Sequence, residues 1–271
     1  MPERLLGPLP PTSVVAYGVR ERTRELLRRS FPKRRGRLTL VRLRDGLLSV
    51  LQQTMVDAVV VDLAQPGEDH WAVAALARDF PSIPFFAVAA LRPADLPGLA
   101  RALTQMEFAD CISEGVDDAV LRELILPATF TVRFATALRG AEGRLGLTTQ
   151  VQRDAWRLVT AHGGRTVRTE VIADSLGLTR EHLSRRFASD GAPNLKRVID
   201  LVRLLAASEL AKNPGYDLPD IARVLGFASA SHLSSSCQRV LGVKSVSLAR
   251  LRPGDLMDRF LKQGRGRSRS S

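Results

Sequence analysis

Aromatic side chains are scarce in this chain: ten Phe, two Trp and two Tyr among 271 residues. A surface so poor in rings cannot offer the successive stacking platforms that hold single-stranded nucleic acid, which excludes that mode as the main activity. Cysteine is scarcer still. Cys111 and Cys237 stand far apart, with no CxxC and no histidine at ligand spacing; this argues against a metal centre or a disulfide framework. No apolar run approaches the ~18 residues that span a membrane, and the proline-rich start cannot form a signal h-region. These absences predict a cytoplasmic protein with no membrane partner. A Gly-rich phosphate loop, HExxH and GxSxG are also missing, so the sequence predicts no enzyme, no catalytic residues, no metal and no cofactor.

What the chain does have is positive charge, unevenly placed. Forty Lys+Arg against 28 Asp+Glu give a net charge of +12. Residues 1–150 carry 19 basic and 17 acidic side chains, whereas residues 151–271 carry 21 and 11. A near-neutral first half and a strongly basic second half point to a polyanionic partner for the second.

The order of elements predicts two domains, as the length suggests. Residues 1–12 read as a disordered, proline-rich start, and residues 13–127 as a domain of five strands alternating with five helices. The third strand, residues 57–62, is β-branched on both faces, as a central parallel strand should be. This pattern predicts a doubly wound, five-stranded parallel α/β domain. Residues 128–146 read as a linker in which Phe130–Leu138 can be helical and Gly140, Gly143 and Gly146 then loosen the chain. Residues 147–252 read as an all-α domain, and residues 253–271 as a basic flexible tail.

Asp62-Leu63-Ala64-Gln65-Pro66 closes the third strand, where a side chain projects into the crevice at the carboxyl end of the sheet. The run resembles the phosphoacceptor segment of response-regulator receiver domains, and the likeness makes Asp62 a candidate phosphoacceptor. The rest of a receiver's site is absent. The place of its acidic pair reads Tyr17-Gly18, its hydroxyl residue aligns with Ala89, and its lysine aligns with Glu114. A metal ion would meet one carboxylate rather than a cluster, so phosphotransfer through Asp62 is the alternative reading and a degenerate receiver-like domain the main one.

The basic half contains a repeated pattern. In Val171-Ile172-Ala173-Asp174-Ser175-Leu176-Gly177-Leu178, Ala173 permits close helix approach, Gly177 supplies the turn, and Ile172, Leu176 and Leu178 lock the pair. Thr179 can cap the next helix, in which Leu183 and Phe187 face inward and Arg185 and Arg186 face out. Ile221-Ala222-Arg223-Val224-Leu225-Gly226-Phe227 repeats the unit position for position, with Ser229 as the second cap. Between them, Leu195, Val198, Ile199, Val202, Leu205, Ala206 and Leu210 trace one helix over 195–210, ~24 Å long at ~1.5 Å per residue. Two readers so joined could occupy successive major grooves, roughly 34 Å apart.

Over residues 147–252 these pieces, with Leu183-Ser184-Arg185-Arg186-Phe187, Arg203-Leu204-Leu205-Ala206-Ala207 and Leu241-Gly242-Val243, resemble the tandem helix-turn-helix domain of AraC/XylS-family transcription regulators. The resemblance implies sequence-specific binding to double-stranded DNA, with Glu181, Ser184 and Arg185 at bases and Arg180 and Arg186 at phosphates. Thr179 and His182 complete the first candidate surface; Ser229, Ser231, His232, Ser234 and Ser235 form the second. The second helix departs from the family: Leu233 and Cys237 replace aromatic anchors, and Ser235 replaces a basic groove residue. The first reader is therefore expected to set specificity and the second to add affinity. A homodimer through residues 84–125 of the first domain and contact with RNA polymerase complete the expected partners.

Overall fold

A computed structural model describes residues 9–267 apart from 35, 91, 94 and 95; the side chains of 101–103 and 265–267 are also excluded. The expected disorder of residues 1–8 lies outside the described residues, as does the end of the expected tail, residues 268–271. The chain forms two compact units, the first comprising Pro11–Arg133 with Asn213–Asp217, the second including Phe134–Lys212 and the chain from Leu218 onward.

The first unit is α/β. Its elements are β1 (Thr12–Tyr17), α1 (Glu21–Ser30), β2 (Gly36–Val41), α2 (Arg44–Gln53), β3 (Ala58–Asp62), α3 (Glu68–Ala74), β4 (Phe85–Ala89), α4 (Leu96–Gln105), β5 (Asp110–Ser113) and α5 (Asp118–Ala128). A 3-10 turn over Ala75–Asp79 continues directly from α3. All strand pairs are parallel, in the order β2-β1-β3-β4-β5. This is the order of flavodoxin-type doubly wound sheets, whose strand order reverses between β1 and β3 and opens a crevice at their carboxyl ends. Every residue of β3 and β4 is buried, which accounts for their unbroken apolar runs. On one face, Leu26, Leu27 and Phe31 of α1 and its end meet Leu121 and Ile125 of α5 over Val14, Val60 and Phe86. The short segment Asn213–Asp217 belongs to this unit: the Tyr216 hydroxyl donates to the Leu51 carbonyl at 3.0 Å, and its ring meets Phe80 edge-on.

The second unit is helical: α6 (Phe130–Ala137, beginning at the boundary), α7 (Ala141–Arg144), α8 (Gln150–Ala161), α9 (Thr169–Ser175), α10 (Arg180–Phe187), α11 (Leu195–Leu210), α12 (Leu218–Val224), α13 (Ala230–Leu241) and α14 (Pro253–Arg267). Two expectations are corrected. In the stretch 128–146 the helix read over 130–138 forms, but the loosening expected from Gly140 onward does not follow, because Ala141 and Leu145 continue the buried helical spacing of Phe130, Phe134 and Leu138. The stretch from 253 is not a flexible tail, because Leu256, Met257 and Phe260 form a buried stripe on α14. Pro253 begins that helix, where its missing N–H costs nothing, and the Arg197 guanidinium lies 4.9 Å over the Phe260 ring.

His162, at the end of α8, is buried, with Nδ1 at 2.7 Å from the Leu158 carbonyl. Burial lowers its pKa, and nearby Arg165 acts in the same direction against the backbone hydrogen bond. The folded helical unit thus resists protonation that the unfolded chain accepts. The stabilisation from keeping this ring neutral is present above the unfolded pKa, about 6.5, and is lost as pH falls below it. Thermal denaturation of this unit should be level between about pH 8 and 6.5 and decline towards pH 5, above the range where most carboxylates titrate. His162→Gln should flatten that decline.

Candidate DNA-reading surface and the filled crevice

Two helix–turn–helix arrangements occur in the helical unit. In the first, α9 ends at a turn in which Gly177 takes φ +65°, a left-handed conformation suited to glycine. The Leu178 amide donates to the Ala173 carbonyl at 2.9 Å, closing that turn. Thr179 then caps α10, its hydroxyl accepting from the His182 amide at 3.2 Å. In the second, α12 ends at Gly226 with φ +68°, and the Ser229 hydroxyl accepts from the His232 amide at 3.0 Å. The two caps are the same hydrogen bond at equivalent positions, each satisfying an amide that a helix start leaves free.

Burial separates anchors from presented side chains. Ile172, Ala173, Leu183 and Phe187 of the first pair are buried, as are Ile221, Ala222, Leu233 and Cys237 of the second. Leu233 and Cys237 therefore fill the positions of Leu183 and Phe187. Burial raises the Cys237 thiol to about 12, which keeps it protonated and unreactive. On α10 and its cap, Thr179, Arg180, Glu181, Ser184, Arg185 and Arg186 are exposed and His182 is half-buried. Arg180 is held by Glu170 at 3.2 Å. Among the described residues Arg185 and Arg186 have no ion-pair partner, so their guanidinium groups are open to an external anion.

The second surface is less available. Ser229, Ser231, His232 and Ser235 are exposed, but Ser234 is half-buried and its hydroxyl lies 2.8 Å from that of Ser245. Ser235 turns its hydroxyl back to the His232 carbonyl at 3.0 Å. Two serines on which the sequence reading relies are thus engaged within their own unit.

Two residues that position these helices escape a reading of the sequence. Gln152 is wholly buried; its amide nitrogen donates to the Phe187 carbonyl at 2.9 Å, and its oxygen accepts from the Thr148 and Thr149 amides. One side chain thereby ties the start of α8 to the end of α10. The signal for it is the Thr149-x-x-Gln152 capping box. Arg203 donates to the Leu225 carbonyl at 3.0 Å and stacks 3.9 Å over the Phe227 ring. Burial lowers the pKa of this guanidinium, and its place at the turn of the second pair is structural.

At the crevice of the α/β unit, Asp62 ends β3 and is buried. Its oxygens accept from the Arg20 backbone amide at 3.1 Å, from Arg20 Nε and Nη2 at 3.0 Å each, from the Thr23 hydroxyl at 2.9 Å and from the Ala64 amide at 3.2 Å. The Arg20 guanidinium also bonds Glu114. A cation carried by the chain fills the place where a sheet of this order would admit a ligand. Among the described residues no group of three or more His, Cys, Asp or Glu side chains is placed to hold a metal ion. Removing Arg20 would leave Asp62 charged and buried. Breaking a buried pair costs ~3–5 kcal/mol, and because Arg20 is about one-third exposed the loss should be smaller. Arg20→Met should lower the stability of the α/β unit by about 2 kcal/mol in urea denaturation.

Residues 172–245 match the family model described as a helix-turn-helix domain, of the AraC type. The match supports DNA binding in transcription regulation. Solved structures similar to the chain include the signal receiver domain of an HD domain-containing protein from Pseudomonas fluorescens Pf-5, 21% identical over 44% of this chain and 94% of that one, with a TM-score of 0.39. Full-length FixJ from B. japonicum is 14% identical over 89% of this chain and 98% of that one, TM-score 0.38. The receiver domain of TorR, a response regulator of the TMAO respiratory system, is 20% identical over 43% and 92%, TM-score 0.36. At such values the receiver-like fold of the first unit stands on its own strand order and parallel pairing. No curated protein matches the chain. Among the described residues no helix is long and apolar enough to cross a membrane.

Proposed function

We propose that this protein is a sequence-specific transcription regulator that reads adjacent major grooves of duplex DNA with α10 and α13. The observation that carries this reading is the pair of equivalent, capped helices following Gly177 and Gly226, within the stretch that matches the helix-turn-helix family. Arg185, Glu181 and Ser184 contact bases, and Arg186 contacts phosphate, with Arg180 joining it when freed from Glu170. Of the second set, Ser231 and His232 are the contacts best placed to add affinity, since Ser234 and Ser235 are engaged internally. Association of α/β units through residues 84–125 would bring two copies to paired sites, with RNA polymerase a further partner.

Site selection from random duplexes, followed by titration, tests this reading. A single preferred site with a steep salt dependence is expected; equal affinity for scrambled duplexes would sink it. Arg185→Ala should remove about 1–3 kcal/mol of discrimination at one base position. Arg186→Ala should weaken all duplexes alike and reduce the slope of log K against log salt by about 1.

The Asp62 environment supports a first unit that works without phosphotransfer. Both carboxylate oxygens are engaged, and an internal guanidinium occupies the ground a metal and phosphoryl group would need. Incubation with acetyl phosphate and Mg²⁺ should leave the intact mass unchanged. A gain of one phosphoryl group, lost in Asp62→Asn, would instead establish the response-regulator reading.

A further inference from the structure

The near neutrality of the first half conceals a segregation of charge. Residues 28–44 contain eight Lys+Arg and no Asp or Glu, leaving eleven basic and seventeen acidic side chains in the rest of residues 1–150. In the α/β unit this segment builds one edge of the sheet, since among the described residues β2 pairs with β1 alone. Lys33, Arg34, Arg37, Arg42 and Arg44 are exposed there, and among the described residues none has an ion-pair partner. At the opposite edge, among the described residues, β5 pairs with β4 alone. Glu107, Asp110, Asp117 and Glu123 are exposed on and around it, again without ion-pair partners among the described residues.

The apolar surface is divided in the same way. Leu40 and Leu43 are exposed at the β2 edge, and Val120 and Leu124 on α5 at the β5 edge. A groove of about 720 Å³ runs beside β2, lined by Phe31, Pro32, Leu38 and Leu40 among others. It lies on the α1 face of the sheet, where Leu38 packs against the cluster containing Leu27 and Phe31. Helix α5 covers that same face through Leu121 and Ile125.

We infer that the occupant of the β2 edge is a second copy of this chain, presenting its β5–α5 edge head to tail. The order of charges along the strands carries the inference. Both edge strands run in the same direction, because every pairing in the sheet is parallel. Setting β5 of one copy beside β2 of the next, with the strands aligned, brings Glu107 towards Lys33 and Arg34 at the amino end. Asp110 falls level with Arg37 near the same end, though on the opposite face of the pleat, and Asp117 lies beside Arg42 and Arg44 at the carboxyl end. Val120 and Leu124 then reach the groove. Unpaired strand edges favour such addition, and complementary potentials fix its register. DNA phosphates would satisfy the cations, but would explain neither the exposed leucines nor the acidic counterpart. The inference builds on the proposed association through residues 84–125, replacing a symmetric contact with a directional one.

A head-to-tail contact of this kind does not close on itself. Sedimentation equilibrium of the full chain without DNA, at about 0.1 M salt, should show an average mass that keeps rising with concentration past that of two copies. Arg37→Glu, Arg42→Glu and Arg44→Glu together should abolish the rise, as should Glu107→Lys, Asp110→Lys and Glu123→Lys together. Mixing the two variants should restore association beyond pairs, because the intact edges complement each other and so do the two reversed edges. The milder set Arg37→Ser, Arg42→Ser and Arg44→Ser should weaken association at least tenfold, and circular dichroism checks that each variant is folded. A mass that levels off at two copies and ignores the β2-edge changes would overturn the directional contact while leaving symmetric association standing. A monomer at every concentration would overturn both. Duplex affinity lost on β2-edge reversal, with self-association untouched, would assign the edge to DNA and overturn the inference.

Discussion

The DNA-reading unit depends on one helix being surrounded. Of the sixteen residues of α11, Leu195, Val198, Ile199, Leu201, Val202, Leu204, Leu205, Ala206, Ala207, Ser208 and Leu210 are buried. Only Lys196 of this helix is exposed, and α8, α12, α13 and α14 all pack against it. Close approach sets part of this arrangement: a Cβ on Gly164, where φ is +79°, would lie 2.1 Å from the Ala206 methyl. No side chain fits there, so the loop after α8 lies directly on the middle of α11. Positions that hold α10 and α13 then follow as attachments to this rod. Gln152 fastens the end of α10 to α8, and Arg203, projecting from α11 itself, fastens the turn before α13.

The α/β unit is organised by an opposite kind of contact, a buried charge met by one arginine. Sheets of this order leave a polar crevice beyond β1 and β3, and an unpaired carboxylate there would be costly. In this chain Arg20 and Glu114 carry the reverse of the charges a receiver's acidic pair and lysine would bring to the same region. Their bond closes the crevice without any exchangeable group. The Asp62 carboxylate is thereby met within the chain, by the Arg20 guanidinium, the Thr23 hydroxyl and the Ala64 amide.

Much of this organisation is legible in the residues. The helix over 195–210 has those bounds in the structure, because its apolar spacing is unbroken and Asn194 caps it, accepting from the Arg197 amide. Both turns and both caps of the helical pairs are likewise readable, since glycine at positive φ and a hydroxyl at the N-cap are strict local requirements. The helices over 141–144 and 253–267 are harder to read. There glycines suggest loosening, while the deciding factor is burial of Ala141, Leu145 and Phe260. The Arg20–Asp62 pair is also hidden: the reading looks for carboxylates at Tyr17-Gly18, and the cation lies just beyond, 42 positions from its partner.

Charge shows most clearly how scale alters what a sequence says. Averaged over half the chain, the first 150 residues are nearly neutral and suggest no partner. Resolved onto the sheet, the same residues become two edges of opposite sign separated by three buried strands. Parallel pairing matters here, because it gives both edges one direction and lets complementary charges fall in the same order along each. An antiparallel sheet whose edge strands ran in opposite directions would reverse that order, and the same composition would carry no register for side-by-side addition. The directional contact is thus a consequence of topology acting on charge, which neither composition nor fold class expresses alone.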